Sequence, residues 1–201
     1  MLSILEGRVL GCLLEKERTT PDQYPLSLNS LVSACNQSTA REPVMVVSPH
    51  DAQAAIVSMK TQGLVRLVHP SHGKTVTRYR QVADERDNWT RGQTAIIAVL
   101  LLRGPQTAAE LRARTERIHD FGLPDGVEAV LRELASVDAA VVVQLERATG
   151  QKELRWQQLL AEEAEIAPRA VARSTSDGLD DRVVELEAKV ARLEAALADL
   201  L

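Results

Sequence analysis

Gly73, Lys74 and Thr75 stand in the order that closes a phosphate-binding loop, in which backbone N–H groups cradle phosphates and the lysine reaches them. The earlier glycine of that motif falls at Val68, and a hairpin pattern follows where a helix is needed, so nucleotide chemistry is not supported. His69 and His72 could share a metal ion, yet no cysteine or carboxylate lies near them in sequence to complete a site. His50, His119, Asp22 and Glu42 form no triad and no carboxylate pair. The expectation is therefore no catalytic residue, no metal and no cofactor: a binding protein that is not an enzyme.

Binding chemistry is better represented. Residues 64–80 hold Arg66, Lys74, Arg78 and Arg80 with His69 and His72, and no acid among them. Alternation along a strand turns Arg66 away from Val65 and Leu67, and puts Arg78 and Arg80 on one face opposite Tyr79. Just upstream, Gln53, Ser58, Lys60, Thr61 and Gln62 form the polar side of a helix, where Gln53 and Lys60 suit base or phosphate contact. The candidate nucleic-acid-binding set is Gln53, Lys60, Arg66, His72, Lys74, Arg78 and Arg80. A second candidate is the segment from Asn36 to Val47, where Asn36, Gln37 and Arg41 could meet a ligand or partner, or could serve only to satisfy the helix end.

The elements that position these residues follow from hydrophobic spacing. Leu2, Leu5, Val9, Leu10, Leu13 and Leu14 give a first helix over 2–16, broken by Thr19-Thr20-Pro21. Tyr24-Pro25 keeps the chain extended, and Ser27 then caps a second helix with Leu28, Leu31, Val32 and Cys35 buried. Ser48-Pro49 opens a third helix carrying Ala52, Ala55, Ile56 and Met59, and Gly63 ends it. Residues 64–68 and 75–80 flank a turn-rich tip and predict a β-hairpin. Three helices and a hairpin is the winged-helix order.

The order repeats. An apolar helix from about Trp89 to Arg103 stops at Gly104-Pro105, and Thr107 with Glu110 makes a capping box for the next. A third helix from Asp125 carries Val127, Val130, Leu131, Leu134 and Val137, each 75 residues beyond Ala52, Ala55, Ile56, Met59 and Gln62. Residues 141–145 and 154–156 flank a second turn at 148–151. The predicted fold class is mainly α with small β-hairpins: two tandem winged-helix domains over 1–83 and 84–160, a linker over 161–178, and a coiled-coil helix over 179–201. In that last segment Val183, Val190 and Leu197 occupy heptad positions a, and Leu179, Leu186, Leu193 and Leu200 positions d. Valine at a with leucine at d favours two parallel strands, which predicts a homodimer.

Composition agrees with small helical domains: 45% of residues are hydrophobic but only 2% aromatic, so Leu, Val, Ile and Ala must fill the core. The longest apolar run, Ala95 to Leu102, falls short of the about 20 residues a bilayer requires. Cys12 and Cys35 sit within helix patterns and read as core residues in a reducing compartment, and no signal segment is visible, so a cytoplasmic location is expected. The formal charge of −4 is uneven: net +3 over 1–83, −2 over 84–160 and −5 over 161–201.

Glu6 to Glu17, Thr19 to Asn29, Ala34-Cys35-Asn36-Gln37 and Arg41-Glu42-Pro43-Val44-Met45 resemble the YceH-like family of bacterial proteins, over residues 1–157 and again in the C-terminal Leu/Glu/Ala helix. The resemblance implies a tandem winged-helix fold in a bacterial cytoplasmic protein. It carries no activity and no catalytic residues, because the family is largely uncharacterised.

Two functions remain open. One is a dimeric DNA-binding regulator whose first domain meets double-stranded DNA through its third helix and wing. The other is an adaptor that docks proteins without touching DNA. The third helix of the second copy carries Asp125, Glu128, Glu133 and Asp138 against one Arg132, which would repel phosphate, so that copy is expected to serve packing or to bind a protein partner.

Overall fold

Side-chain caps set the helix starts. Ser3 accepts from the Glu6 N–H while the Glu6 carboxylate accepts from the Ser3 N–H, opening α1 (Ile4–Thr19). After a 3-10 turn at Pro21–Gln23, Ser27 caps α2 (Leu28–Cys35) and Ser48 caps α3 (Pro49–Thr61). Gly63, with φ at 72°, takes the left-handed conformation that only glycine adopts without steric cost, and turns the chain into β2 (Val65–Val68). β3 (Arg78–Gln81) returns antiparallel to it. The computed structural model describes residues 1–69, 76–123, 125–136, 140–147 and 153–163. The expected coiled-coil segment, the linker beyond residue 163, and the wing-tip residues His72 and Lys74 lie outside these.

The second half follows the same order. α4 (Ala83–Asp87) is a short helix that hydrophobic spacing did not predict. The helix expected near Trp89 begins later, as α5 (Arg91–Arg103), with Thr90 and Gln93 forming a capping box. Then come α6 (Ala108–Thr115), capped by Thr107 and Glu110 as predicted, α7 (Gly126–Ser136), β5 (Val142–Gln144) and β6 (Arg155–Gln158). Two further strands of two residues each, β1 (Leu26–Ser27) and β4 (Gln106–Thr107), form where the sequence predicts only extended chain or a cap. Each pairs antiparallel to the returning strand of its hairpin, giving sheets ordered β1-β3-β2 and β4-β6-β5.

The repeat extends to hydrogen bonds. Arg78 donates to the Pro25 carbonyl at 2.8 Å, and Arg155 donates to the Pro105 carbonyl at 2.8 Å. The buried Gln81 side chain accepts from the Ala83 N–H, and the buried Gln158 side chain accepts from Leu160 and Ala161. A buried amide at the end of each returning strand thus satisfies backbone groups that have left the ladder.

The halves are not separate bodies. Residues Met1–Ala164 form one compact unit, sewn together where α1 packs on α5 and where Leu2 bonds Leu160 and Glu162. A Cβ on Gly11 would lie 2.9 Å from the Leu102 Cγ, and one on Gly7 would lie 2.7 Å from the Ala161 Cβ. These glycines let the two repeats approach closely enough for Val9, Leu10, Leu13, Ile97, Leu100 and Leu102 to share one buried core.

Candidate functional site

The ribbon arginines converge, but not beside α3. Register pairs Arg66 directly with Arg80, an arrangement that repels unless compensated. Glu85 of α4 compensates it, bonding Arg80 and approaching Arg66 at 3.7 Å. Arg78 spends its guanidinium on the carbonyls of Pro25 and Gln23. Two outward cations therefore share one carboxylate, and the third, Arg78, bonds backbone carbonyls. On the opposite face of the sheet, Tyr79 donates to Gln53 Oε1 at 3.0 Å, so α3 packs behind the ribbon. The expectation that Gln53 and these arginines line one surface is thus corrected: Gln53 is half-buried and turned to the sheet. Lys60 is exposed in the last turn of α3.

The α2–α3 connection spans residues 36–48, a length at which unstructured loops in compact proteins usually carry function. Buried and half-buried side chains hold it. Both groups of the Asn36 amide bond Val47, donating to its carbonyl at 2.9 Å and accepting from its N–H at 2.7 Å. Arg8, 2% exposed, donates to the carbonyls of Cys35 and Pro43. Arg41 donates to the carbonyls of Ala34 and Ala40 and forms a two-pronged bond with Glu15, at 3.2 and 2.6 Å. Ala40 sits at φ 60°, a left-handed conformation costing a non-glycine residue about 1–2 kcal/mol. Its carbonyl is held by Arg41, which is how surrounding structure sustains such strain. Asn36 and Arg41, candidates for ligand contact, are therefore the braces of this segment and do not face outward. Gln37 is half-buried.

Electrostatics agree with the bracing. Burial alone pushes the Glu15 carboxyl upward, but the hydrogen bonds and charge of Arg41, with help from Lys16, hold it below the ordinary carboxylate range. Beneath the loop, Cys12 and Cys35 are both buried and free, and the neighbouring Cys12 thiol, with burial, pushes Cys35 up.

What the braced segment presents is nearly uncharged, with two bare valines among the hydroxyls of Ser38, Thr39 and Ser48. Val46 is 97% exposed and Val44 59%, and both precede α3, on whose outer face Ala54 and Val57 follow, Val57 at 55%. α2 adds Asn29, Ser30 and Ser33. Among the exposed residues from Asn29 to Thr61, the formally charged ones are Asp51 and Lys60, of opposite sign. Sequence reasoning missed these valines; the available signal was that they are apolar in a stretch with neither helical nor strand period.

In the second half, Ala108, Ala109, Glu128, Arg132, Gln144, Arg147, Glu153, Leu154 and Trp156 line a cleft of about 550 Å³. Among the described residues no group of three or more His, Cys, Asp or Glu could hold a metal ion, and no helix is long and apolar enough to cross a membrane.

A model of the family described as "Protein of unknown function, DUF480" matches residues 2–151. A UPF0502 protein of Dechloromonas aromatica is 46% identical over 200 residues, covering 99% of this chain and 92% of that protein. UPF0502 proteins of Solibacter usitatus and Shewanella loihica are 45% and 43% identical, over 97% and 98% of this chain and 94% and 96% of theirs.

Proposed function

The chain belongs to this uncharacterised bacterial family, DUF480 or UPF0502, whose members lend it no activity, and we propose on that footing that it is a non-enzymatic, cytoplasmic protein-docking module. Its scaffold in this reading is a tandem winged helix, dimeric through the heptads of 179–201. A partner protein docks on the α2–α3 segment and the outer face of α3. The observation that carries this reading is the braced connection that turns Val44 and Val46 outward. A loop already ordered loses little entropy on binding. Burying one valine contributes about 1.5 kcal/mol or more. Depletion of charge is what distinguishes the core of a protein interface. A polyanion gains little from this face, because its affinity rests on neutralised phosphates and Lys60 is the one formal cation among the exposed residues from Asn29 to Thr61.

The test uses the full chain with Val46→Asp and Val57→Asp. Both side chains are exposed, so the melting temperature stays unchanged. Burying an aspartate against a partner's apolar surface weakens binding by about tenfold or more. Quantitative affinity purification should therefore lose a stoichiometric partner that the wild type retains. Equal recovery of the same partner by both variants defeats the reading.

Direct DNA binding is the second reading, and one observation favours it: Arg66, Arg78 and Arg80 project from one ribbon, where Arg66 and Arg80 share the carboxylate of Glu85 and Arg78 bonds carbonyls. DNA would then meet the ribbon and its tip, where Lys74 falls in sequence, without α3 entering a groove. Anisotropy with duplex DNA across salt concentrations decides. Replacing the three arginines by alanine should flatten the log–log slope by up to about 0.9 for each phosphate that is no longer neutralised. An unchanged slope, or no binding at low salt, ends this reading.

A further inference from the structure

The cleft in the second half has an internal control, because the first half contains its counterpart. Glu128 on α7 corresponds to Gln53 on α3, at the same spacing of 75 residues that aligns the buried stripes of the two helices. Trp156, paired with Gln106 and Gln144, corresponds to Tyr79, paired with Leu26 and Leu67. In the first half the two positions bond one another, Tyr79 O–H to Gln53 Oε1. In the second, tryptophan offers no hydroxyl at that place, and Glu128 Oε2 is buried without a hydrogen-bond partner among the described residues. An unpaired buried carboxylate oxygen costs on the order of 1–3 kcal/mol. The repeat has thus exchanged a satisfied pair for an unsatisfied acceptor at the wall of an open cleft.

The rest of the lining says what would satisfy it. Arg132 and Arg147 supply two cations, Glu128 and Glu153 two anions, and none of the four forms an ion pair among the described residues. A purely anionic or purely cationic ligand would desolvate the opposite pair without compensation. Ala108, Ala109, Leu154 and Trp156 make most of the remaining wall apolar, with the Gln144 amide beside them. The volume, about 550 Å³, lies within the range of small-molecule sites. We infer that this cleft binds a small zwitterion of the α-amino acid class with an aliphatic side chain. Its ammonium donates to Glu128, its carboxylate accepts from Arg132 and Arg147, and its side chain lies against Trp156. The inference is independent of the docking surface on the first half.

Calorimetric titration of the full chain with L-leucine and L-methionine tests it. Saturable binding is expected, and it should quench or shift the emission of Trp156, a change absent from Trp156→Phe but retained when Trp89 is replaced. 4-Methylpentanoate lacks the ammonium and 3-methylbutylamine the carboxylate; each should bind about 10- to 100-fold more weakly than leucine. Glu128→Gln should weaken leucine by a similar factor while keeping or raising the melting temperature, because it removes a charged carboxylate whose inner oxygen has no partner among the described residues. A residue needed only for folding would do the reverse. The inference is overturned if neither amino acid binds at millimolar concentration, or if Glu128→Gln and both analogues bind as well as the parent pair.

Discussion

Replacing Arg41 by alanine should lower the melting temperature by roughly 6–20 °C, from a loss of about 3–5 kcal/mol at about 2–4 °C per kcal/mol. Arg41 is 5% exposed and its guanidinium bonds Glu15 twice and two backbone carbonyls. Removing it leaves a largely buried carboxylate without its cation and releases Ala40 from the group that holds its strained backbone. The loss is large because the partners stay buried: most of the penalty is their desolvation, not the attraction itself. A pH signature should accompany it. The folded protein holds the Glu15 carboxyl below its unfolded value, so this contribution is fully present above the unfolded value, about 4.3. It fades as pH falls through the lower folded value. Urea midpoints of wild type and Arg41→Ala should therefore differ widely at neutral pH and converge in acid. A gap that stays constant down to acid would show that Glu15 is not the partner that matters.

Gly11→Val should destabilise by about 1–3 kcal/mol or more, although leaving glycine in a helix interior ordinarily helps. A Cβ at Gly11 would meet Leu102 Cγ and Cδ2 at 2.9 and 3.0 Å and Leu101 Cβ at 3.1 Å, two of them atoms near the backbone of buried side chains in the last turn of α5. The effect should be cooperative, because this contact joins both repeats into one core. A single unfolding transition shifted downward is expected by calorimetry. Two separated transitions in the variant would mean the halves fold independently, contrary to the shared core. Gly63→Ala, where a Cβ meets nothing within 4 Å, provides the contrast: its cost comes from the positive φ alone.

The order of elements was legible in the sequence because it rests on local chemistry. Ser27, Ser48 and Thr107 cap the helices they were expected to cap, and the buried stripes Ala52-Ala55-Ile56-Met59 and Val127-Leu131-Leu134 follow a period written in residue types. The repeat was visible for the same reason. α4 was missed because five residues, Ala83 to Asp87, are too few to show a period, and β1 and β4 because two residues cannot show alternation. The free charge of the ribbon was not legible. No acid lies within 64–80, yet Glu85, five residues beyond Arg80, folds back onto both Arg80 and Arg66. Asn36 and Arg41 could by sequence either meet a partner or serve the helix end, and only the packed chain shows Arg41 spent on Glu15, twenty-six residues away in sequence. Residue type and spacing determine helices, caps and repeats, whose interactions reach a turn or two along the chain. Which polar groups are consumed by the fold and which, like Glu128, are left over depends on distant segments meeting, and is decided only where water is excluded.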